Sequence, residues 1–404
     1  MRVPFSSPRI DQLIIDEVID TLNSGWITTG CKTHLFEQNL TSYCENKQTL
    51  CVNSATSGLE LILRWFGIND SDEVIVPVYT YCATANVVLH CGATPVLVDI
   101  NECDFNISVE KIKNAITSKT KVIIPVDVGG NPCDYTEIYD LIQSEEIKKL
   151  FKPGNDIQQQ LGRILILTDA AHSLGSSYRG KKTGSISDIT VFSFHAVKNL
   201  TTAEGGAIAF NLPEPFDNDE IYRYLSIVAN HGQNKNALTK SKLCHWKYDI
   251  IDAGYKMNMP DILASLGLIE LSRYENDTLV KRKTIVEFYN NALAHYNWAI
   301  IPNCLTPVKT PSWHLYQFRI KGITEQYRDM IIQKLSIAEI SVNVHFQPLP
   351  MFSFYKKLGY QICDYPNAYK AYSTEISLPI FYDLSILQMQ YITDNLINTI
   401  LEYI

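Results

Sequence analysis

Residues Leu167–Phe210 read LTDAAHSLGSSYRGKKTGSISDITVFSFHAVKNLTTAEGGAIAF. An apolar run, Ile164 to Leu167, leads into Thr168 and an acid, Asp169, and His172 follows three residues on. A second apolar run, Ile189 to Phe194, carries Ser193 and ends at His195, with Lys198 just beyond it. The turn Glu204-Gly205-Gly206 opens a third run, Ala207 to Phe210. Short apolar runs bounded by turn residues read as buried strands. An acid and a lysine at the carboxyl ends of neighbouring buried strands share one crevice, which is where open α/β sheets bind ligands.

The chemistry of that pair is specific. An amine that must form an imine needs a partly desolvated site that lowers its pKa. An aspartate opposite a protonated pyridine nitrogen keeps the ring cationic and so an electron sink. The pair predicts pyridoxal 5'-phosphate (PLP) in a Schiff base with Lys198, with Asp169 against its pyridinium nitrogen. The plain alternatives are a solvated lysine and a helix-capping aspartate. His172 reads either as a partner of the cofactor's phenolic oxygen or as a satisfied buried histidine.

Upstream, Thr49 to Val52 is a strand, and Asn53-Ser54-Ala55-Thr56-Ser57-Gly58 leads into a helix through Leu59, Ile62, Leu63 and Phe66. Small residues at a strand-to-helix turn leave amides free for an anion, or Ser54 or Thr56 serves only as an N-cap. Strands at 73–76, 94–98 and 122–126 alternate with helices to about Cys91, at 109–117 and at 134–143. That rhythm predicts a mostly parallel sheet with helices on both faces. Tyr81, just past a strand end, is placed to stack on a flat ring or to sit on the rim. Ile10 to Leu22 carries a helical apolar face at 10, 13, 14, 18 and 22, and Gly25-Trp26-Ile27-Thr28-Thr29-Gly30 reads as a loop. Residues 144–162, polar and with Pro153-Gly154, read as an inserted surface excursion.

Downstream, Glu214 to Leu243 reads as polar and irregular. Pro260 suits the first turn of a helix, whose buried face is predicted at 262, 263, 266 and 269. A second helix, Leu279 to His295, bridges to an α+β segment. That segment has strands at 315–320, 340–346 and 375–378, a helix at 325–335 and a closing helix at 385–403.

Composition narrows the class. The 404 residues predict two domains. The chain is 46% hydrophobic and 19% charged, enough for an ordinary core. A net charge of -8 without a long basic cluster argues against a nucleic-acid track. Ten cysteines, none spaced C-x-x-C, are expected to be reduced and buried. The N-terminus lacks a signal-peptide core, and no run reaches the roughly 18 apolar residues of a membrane helix. The expected location is the cytoplasm. The nine histidines show no H-x-x-x-H or H-x-H spacing, so no metal site is expected, and no G-x-S-x-G occurs.

Taken together, Asp169-Ala170-Ala171-His172, Phe192-Ser193-Phe194-His195-Ala196-Val197-Lys198-Asn199 and Glu204-Gly205-Gly206 resemble the signatures of the DegT/DnrJ/EryC1/StrS family of PLP-dependent nucleotide-sugar aminotransferases. Upstream matches are Asp72-Glu73-Val74-Ile75-Val76-Pro77, Ala83-Thr84-Ala85-Asn86, Gly92-Ala93-Thr94-Pro95-Val96 and Val98-Asp99. The resemblance spans nearly the whole chain. Ser24–Gly30, Gly254–Asn258, Trp313–Tyr316, Val344-His345-Phe346 and Ser377-Leu378-Pro379 are most similar to the branch that aminates UDP-4-keto-pentose on the way to UDP-4-amino-4-deoxy-L-arabinose.

The resemblance implies an α/β protein of fold type I, the aspartate aminotransferase-like fold. Its large domain would hold a mostly parallel seven-stranded sheet, followed by a small α+β C-terminal domain. The expected divisions are 1–255 for the large domain, 256–295 for linking helices and 296–404 for the small domain. Lys198 is implied as the Schiff-base and catalytic lysine and Asp169 as the pyridinium partner. His172 would meet the ring oxygen, Tyr81 would stack on the ring, and Ala55, Thr56 and Ser193 would hold the phosphate. A homodimer is implied, with Lys256 or Asn258 reaching into the partner's site. Trp26, Thr28, Thr29 and His314 would meet the sugar nucleotide.

The implied reaction takes an amino group from L-glutamate to a keto group, at C4, of a nucleotide-activated sugar destined for cell-surface glycan or lipopolysaccharide. A C3-specific enzyme and a non-catalytic scaffold on the same fold are the alternatives. The scaffold has no need of Asp169, Ser193 and Lys198 together, and dehydratase relatives carry His at the lysine position. Lys256 stands where many relatives have Asn, Asp127 where they have His, and Cys31 where proline is common.

Overall fold

The computed structural model describes residues 1–235, 247–302 and 304–404. The chain begins with helices α1 (Gln12–Asn23) and α2 (Cys31–Cys44) and strand β1 (Gln48–Val52). Then come α3 (Ala55–Trp65), β2 (Glu73–Pro77), α4 (Ala83–His90), β3 (Thr94–Val98), α5 (Val109–Ala115) and β4 (Thr120–Ile123). Helices α6 (Tyr135–Gln143), α7 (Glu145–Leu150) and α8 (Asp156–Leu161) precede β5 (Leu165–Asp169). After the short hairpin β6 (Ser177–Tyr178) and β7 (Lys181–Lys182) come β8 (Ile189–Ser193), β9 (Gly206–Phe210) and α9 (Asn218–Val228).

The seven long strands form one sheet in the order β1-β9-β8-β5-β4-β2-β3. The β3-β2-β4-β5-β8 run is parallel, and β9 is antiparallel to both of its neighbours. Because β9 runs backwards, its first residues lie at the same sheet edge as the last residues of β1, β5 and β8. The register makes this concrete: Ser193 and Val52 both pair with Gly206, and Asp169 pairs with Val191. The strands are apolar on both faces, as a sheet covered by helices on each side requires. In β5, Leu165 and Leu167 join one core cluster while Ile166 joins another, and β8 divides in the same period-two way.

Helices α10 (Asp261–Ser272) and α11 (Leu279–Leu293) lead to a smaller sheet made of β10 (Ala299–Ile300), β12 (Tyr316–Ile320) and β13 (Glu375–Leu378). Strand β11 (Lys309–Thr310) pairs instead with β6. Helices α12 (Glu325–Ile337) and α15 (Ile386–Ile400) pack against the smaller sheet through Ile331, Leu335, Ile392 and Leu396. The core does not follow chain order. Val3, at the start, sits in the C-terminal cluster. Leu349 and residues of α13 (Ser353–Lys357) and α14 (Pro366–Thr374), among them Tyr355, Ala368 and Tyr372, pack on the large-sheet cluster. No helix among the described residues is long and apolar enough to cross a membrane.

Several sequence expectations are corrected. Residues 144–162 are two packed helices, not an excursion: Ile147 and Phe151 are buried, and the Gln158 side-chain amide donates to the Phe66 carbonyl at 2.9 Å. Ser144 and Asn155 cap these helices, so the polarity reflects caps and exposed faces around a few anchors. Residues 218–228 form a helix capped by Asp217, because the Leu225 and Val228 stripe is masked by its charged neighbours. The rest of that stretch, 236–243, and Cys244 lie outside the described residues.

Residues 340–346 form no strand. Only single bridges, Val3 to Ile340 and Asn343 to Ser377, occur there. On α10 the buried residues are Asp261, Ala264, Ser265, Gly267, Glu270 and Leu271, not Ile262, Leu263, Leu266 and Ile269, which stay half-buried. The small side chains face α2, where a Cβ on Gly267 would meet the Phe36 ring at 2.5 Å. On α1 only Ile14 and Thr21 are buried. Cysteines 44, 51 and 133 are buried, but 31, 103 and 363 are exposed, and all nine described are free.

Asp188 ties the starts of β5 and β8. Its carboxylate takes two 2.7 Å hydrogen bonds from the Arg163 guanidinium and one from the Ile166 amide at 3.0 Å. Arg163→Met leaves a buried acid without its cation and is expected to cost about 3–5 kcal/mol, read as a lower urea midpoint with an unchanged m-value.

Candidate active site

A cavity of about 340 Å³ opens at the sheet edge where β1, β5, β8 and β9 converge. Its walls include Ala55, Thr56, Tyr81, Asp169, His172, Ser193, Lys198 and His314, drawn from six separate segments.

Helix α3 starts at this edge. Its first-turn amides have no intrahelical acceptor. Ser54 accepts the hydrogen bond from the Ser57 amide at 3.1 Å, leaving those of Ala55 and Thr56 toward the cavity beside Ser193. The approach is close: a Cβ on Gly206 would meet the Ala55 nitrogen at 2.6 Å. Glycine at the start of β9 is thus what lets the strand abut the helix. Free amides at a helix N-terminus make a cradle for a phosphate.

Asp169 ends β5 and is 6% exposed. One carboxylate oxygen accepts from the Thr84 hydroxyl at 2.8 Å and the other from the Ala171 amide at 3.2 Å. Burial raises its pKa, and these two donors and the charge of Lys198 oppose the rise. Lys198 lies on the loop between β8 and β9. That loop is closed by the Thr202 amide donating to the Phe194 carbonyl and the Phe194 amide donating to the Gly205 carbonyl, both at 2.9 Å. Burial pushes the Lys198 amine down to about 8, against the pull of Asp169. Acid and amine attract across the cavity without a direct ion pair among the described residues.

The histidines are held by hydrogen bonds that set their tautomers. The Gly129 amide donates to His172 Nδ1 at 3.2 Å, so the ring proton sits on Nε2. Gly129 and Gly130 have φ of 66° and 90°, and a Cβ on Gly130 would meet Ser312 Oγ at 2.1 Å. Only glycine allows this turn to lie against both His172 and the 312–315 segment. His314 Nδ1 meets Asn199 Oδ1 at 2.7 Å, and the Asn199 amide donates to the Ser312 carbonyl. Burial pushes both His172 and His314 far below the usual histidine range. Their ring centroids lie 4.3 Å apart. Asp127 is buried and accepts from Ser173, Tyr135 and the Cys133 amide. Here it serves the loop beneath His172.

Other sequence candidates lie outside this cavity. The Asn258 amide donates to Thr29 Oγ1 at 2.6 Å, Thr29 donates to the Met259 carbonyl, and the Trp26 indole N–H donates to the Thr29 carbonyl. Thr28 is exposed. Lys256 is exposed, 3.5 Å from Asn230 Oδ1. Asn258 pairs with Val52, so this group adjoins the end of β1. Tyr81 lines the cavity but is 64% exposed.

The structure adds residues that the sequence reading did not place. His345 and Phe346 form a wall, with Phe346 stacked on His172 at 5.8 Å and 13°. Their only signal was the Val344-His345-Phe346 likeness. Phe5 stacks on His345 at 5.4 Å, and nothing local marked it, because Val3 anchors that segment by a bridge to Ile340 in the C-terminal core cluster. Thr84 lay within a matched block. Arg282, on a bridging helix, donates to the Trp313 and His314 carbonyls.

The arrangement can hold an anion at the start of α3, a protonated ring nitrogen at Asp169, a ring oxygen at His172 Nε2 and a carbonyl carbon at Lys198. That donor set fits a flat phosphorylated pyridine aldehyde.

Comparison with known proteins follows the same lines. The model of the DegT/DnrJ/EryC1/StrS aminotransferase family matches residues 8–152 and 154–397. A putative sugar aminotransferase, Spr1654 from Streptococcus pneumoniae, superposes in its PMP-form with a TM-score of 0.96 at 44% identity, covering 100% of each chain. Its PLP-form gives 0.95 at 42% identity, again over 100% of each chain. The spore coat polysaccharide biosynthesis protein SpsC of Bacillus subtilis is 35% identical over 95% of this chain and 93% of its own length. Helicobacter pylori PseC, an aminotransferase involved in pseudoaminic acid biosynthesis, superposes at a TM-score of 0.87 with 28% identity over 100% of each chain.

The amine offers a direct check. In the cofactor-free protein, reaction of Lys198 with an aldehyde should rise with pH through about 8, as the ammonium gives up its proton. Asp169→Asn removes the negative charge that favours the ammonium, so that midpoint should fall below the wild-type value. Peptide mapping after borohydride trapping reads both.

Proposed function

This chain belongs to the DegT/DnrJ/EryC1/StrS aminotransferase family, and we propose that it transfers an amino group from L-glutamate to the C4 keto group of a nucleotide-activated sugar, with pyridoxal 5'-phosphate as the carrier. The observation that carries this reading is the Lys198 amine, lowered to about 8 opposite buried Asp169. The PLP- and PMP-forms of the Streptococcus pneumoniae relative support the cofactor.

Asp169 holds the ring nitrogen protonated, and Thr84 keeps that carboxylate aimed. Ala55, Thr56 and Ser193 would hold the phosphate, His172 Nε2–H would meet the ring oxygen, and Tyr81 would cover the ring. Bound there, PLP would supply the electron sink that an amino transfer requires. Lys198 anchors the resting cofactor. Displaced, its Nζ takes the proton from the substrate carbon and returns it on the far side of the transfer. With a pKa near 8, that nitrogen is poised to act as base and as acid near neutrality.

The finer parts of the reading rest on likeness. A UDP-linked 4-keto-pentose is the proposed acceptor, and the product is proposed to enter lipopolysaccharide or another cell-surface glycan. SpsC and PseC, named for spore coat polysaccharide biosynthesis and for the biosynthesis of pseudoaminic acid, support that direction. A cytoplasmic homodimer with shared sites is proposed, in which Lys256 or Asn258 reaches the partner's cavity and Trp26, Thr28, Thr29 and His314 meet the sugar nucleotide. Exposed Leu13, Ile19 and Leu22 on α1 and the half-buried Ile262 and Leu266 on α10 support an apolar interface. The proposed domain division is 1–255, 256–295 and 296–404.

Purified protein mixed with PLP should turn yellow and bleach with L-glutamate. A colourless protein that binds no PLP overturns the reading. Lys198→Ala should lose about 10²–10⁴-fold in turnover while keeping its fold by circular dichroism. A screen of UDP-, GDP- and dTDP-linked 3-keto and 4-keto sugars identifies the acceptor.

A further inference from the structure

His345 carries a second hydrogen-bonded chain behind it, reaching away from the cavity into the smaller sheet. Its Nδ1 lies 2.9 Å from Ser377 Oγ. The Ser377 hydroxyl lies 2.5 Å from Glu375 Oε1. The other carboxylate oxygen of Glu375 accepts the His345 backbone N–H at 3.0 Å. Glu375 and Ser377 are both 0% exposed. A fully buried acid that ends on a cavity histidine through one hydroxyl is a costly arrangement, and neither Lys198 nor Asp169 needs it.

We propose that Glu375, acting through Ser377, is a positioning residue that decides whether His345 Nε2 offers the substrate a proton or a lone pair. The claim deepens the aminotransferase reading and rests on it for its kinetic consequence, but its structural content stands alone. Each hydroxyl and ring nitrogen in the chain can point its proton only one way at a time.

With Glu375 ionised, Ser377 donates to the carboxylate, its oxygen accepts from His345 Nδ1–H, and Nε2 bears a lone pair. With Glu375 protonated, its O–H donates to Ser377, Ser377 donates to Nδ1, and the ring proton sits on Nε2. Passing from the second state to the first moves the carboxyl proton to Ser377 and the serine proton to Nδ1. The Nε2 proton leaves to the cavity, so one proton is delivered in all.

The substrates of an amino transfer alternate between carbonyl, which accepts a hydrogen bond, and ammonium, which donates one. A histidine of reversible polarity serves both, and one of fixed polarity serves only one. Asn343 Nδ2 lies 3.5 Å from Nε2, and the ring lines the same cavity as Lys198.

The surroundings keep the switch in the acid rather than in the ring. Burial pushes Glu375 up to about 8. Opposing it are Ser377 on its own strand, the His345 amide, Arg328 from α12 and Arg319 from β12, which is its partner in register. The Arg328 guanidinium spends itself on the Tyr372 and Glu375 carbonyls and on Asp329. Tyr79 donates to the His345 carbonyl. Burial, with Lys198 adding to it, pushes His345 down to about 4. Above that pH the ring is neutral, and only its tautomer changes.

Substitutions separate the states. In Glu375→Gln the amide oxygen must accept the His345 N–H, so the amide nitrogen donates to Ser377 and locks the ring proton on Nε2. Nitrogen-15 NMR of histidine-labelled full-length protein, with His345 assigned by His345→Gln, reads the tautomer directly. In wild type the ring proton should pass from Nε2 to Nδ1 as pH rises through about 8. Glu375→Gln should stay on Nε2 throughout, Ser377→Ala should lose the step, and Ser377→Thr should restore it.

In turnover, Ser377→Ala should raise KM for the keto sugar about 3- to 10-fold, the worth of one hydrogen bond, with kcat little changed. A wild-type ring whose tautomer is constant across the range, or the same step in Ser377→Ala as in wild type, overturns the proposal. If no keto sugar is turned over, the NMR result still decides it, so the two failures are distinguishable.

Discussion

An acid and an amine taken out of water at the same sheet edge would ordinarily neutralise each other in a direct pair. Here Asp169 is occupied by Thr84 and the Ala171 amide, while Lys198 rides on a loop closed independently through Phe194. The two form no direct ion pair among the described residues, and burial lowers the amine to about 8 against the pull of Asp169. That separation is the constraint on which the site depends. It leaves the cavity open between them, and a buried lysine lowered in this way is a better nucleophile than a solvated one. The antiparallel β9 supports it by bringing Gly206 back beside Ser193 and the start of α3.

Around this pair the polar groups are arranged so that each functional side chain has one side committed to the protein. His172 is held by the Gly129 amide, His314 by Asn199, and His345 by Ser377. Each partner comes from a different segment. The floor is thus a junction of the 128–131 turn, the loop after β5 and the 312–315 segment, joined by Ser312 donating to the His172 carbonyl and Ser176 to that of Gly130. Committing one ring nitrogen defines the role of the other, which is how neutral histidines acquire directional chemistry in a desolvated site.

Where local reading failed, the reasons are physical. The 144–162 stretch looked like a loop because its two helices are short and mostly exposed, with Ile147, Phe151 and Gln158 among their few anchors. Alternation at 340–346 was a false strand. That segment runs past β13 with single bridges because it delivers His345 and Phe346 to the cavity rather than extending the sheet. On α10 the larger apolar side chains remain half-buried, since close packing against α2 selects the small ones. Apolar identity alone does not say which face an adjoining helix will take.

The sequence by itself determined the alternation of strands and helices, the small C-terminal α+β portion and the central residues Asp169, His172, Ser193 and Lys198. These lie within one stretch, and their spacing follows from strand length and turn chemistry, which are local properties. Tertiary structure alone decided that β9 runs against its neighbours and that Phe5 and His345 meet beside a lysine far away in the chain. It also decided that Glu375 lies buried behind Ser377 and that the Trp26–Thr29 and Lys256–Asn258 groups stand outside the cavity. Burial and hydrogen-bond partnership between distant segments set pKa and tautomer, and neither is encoded at any single position.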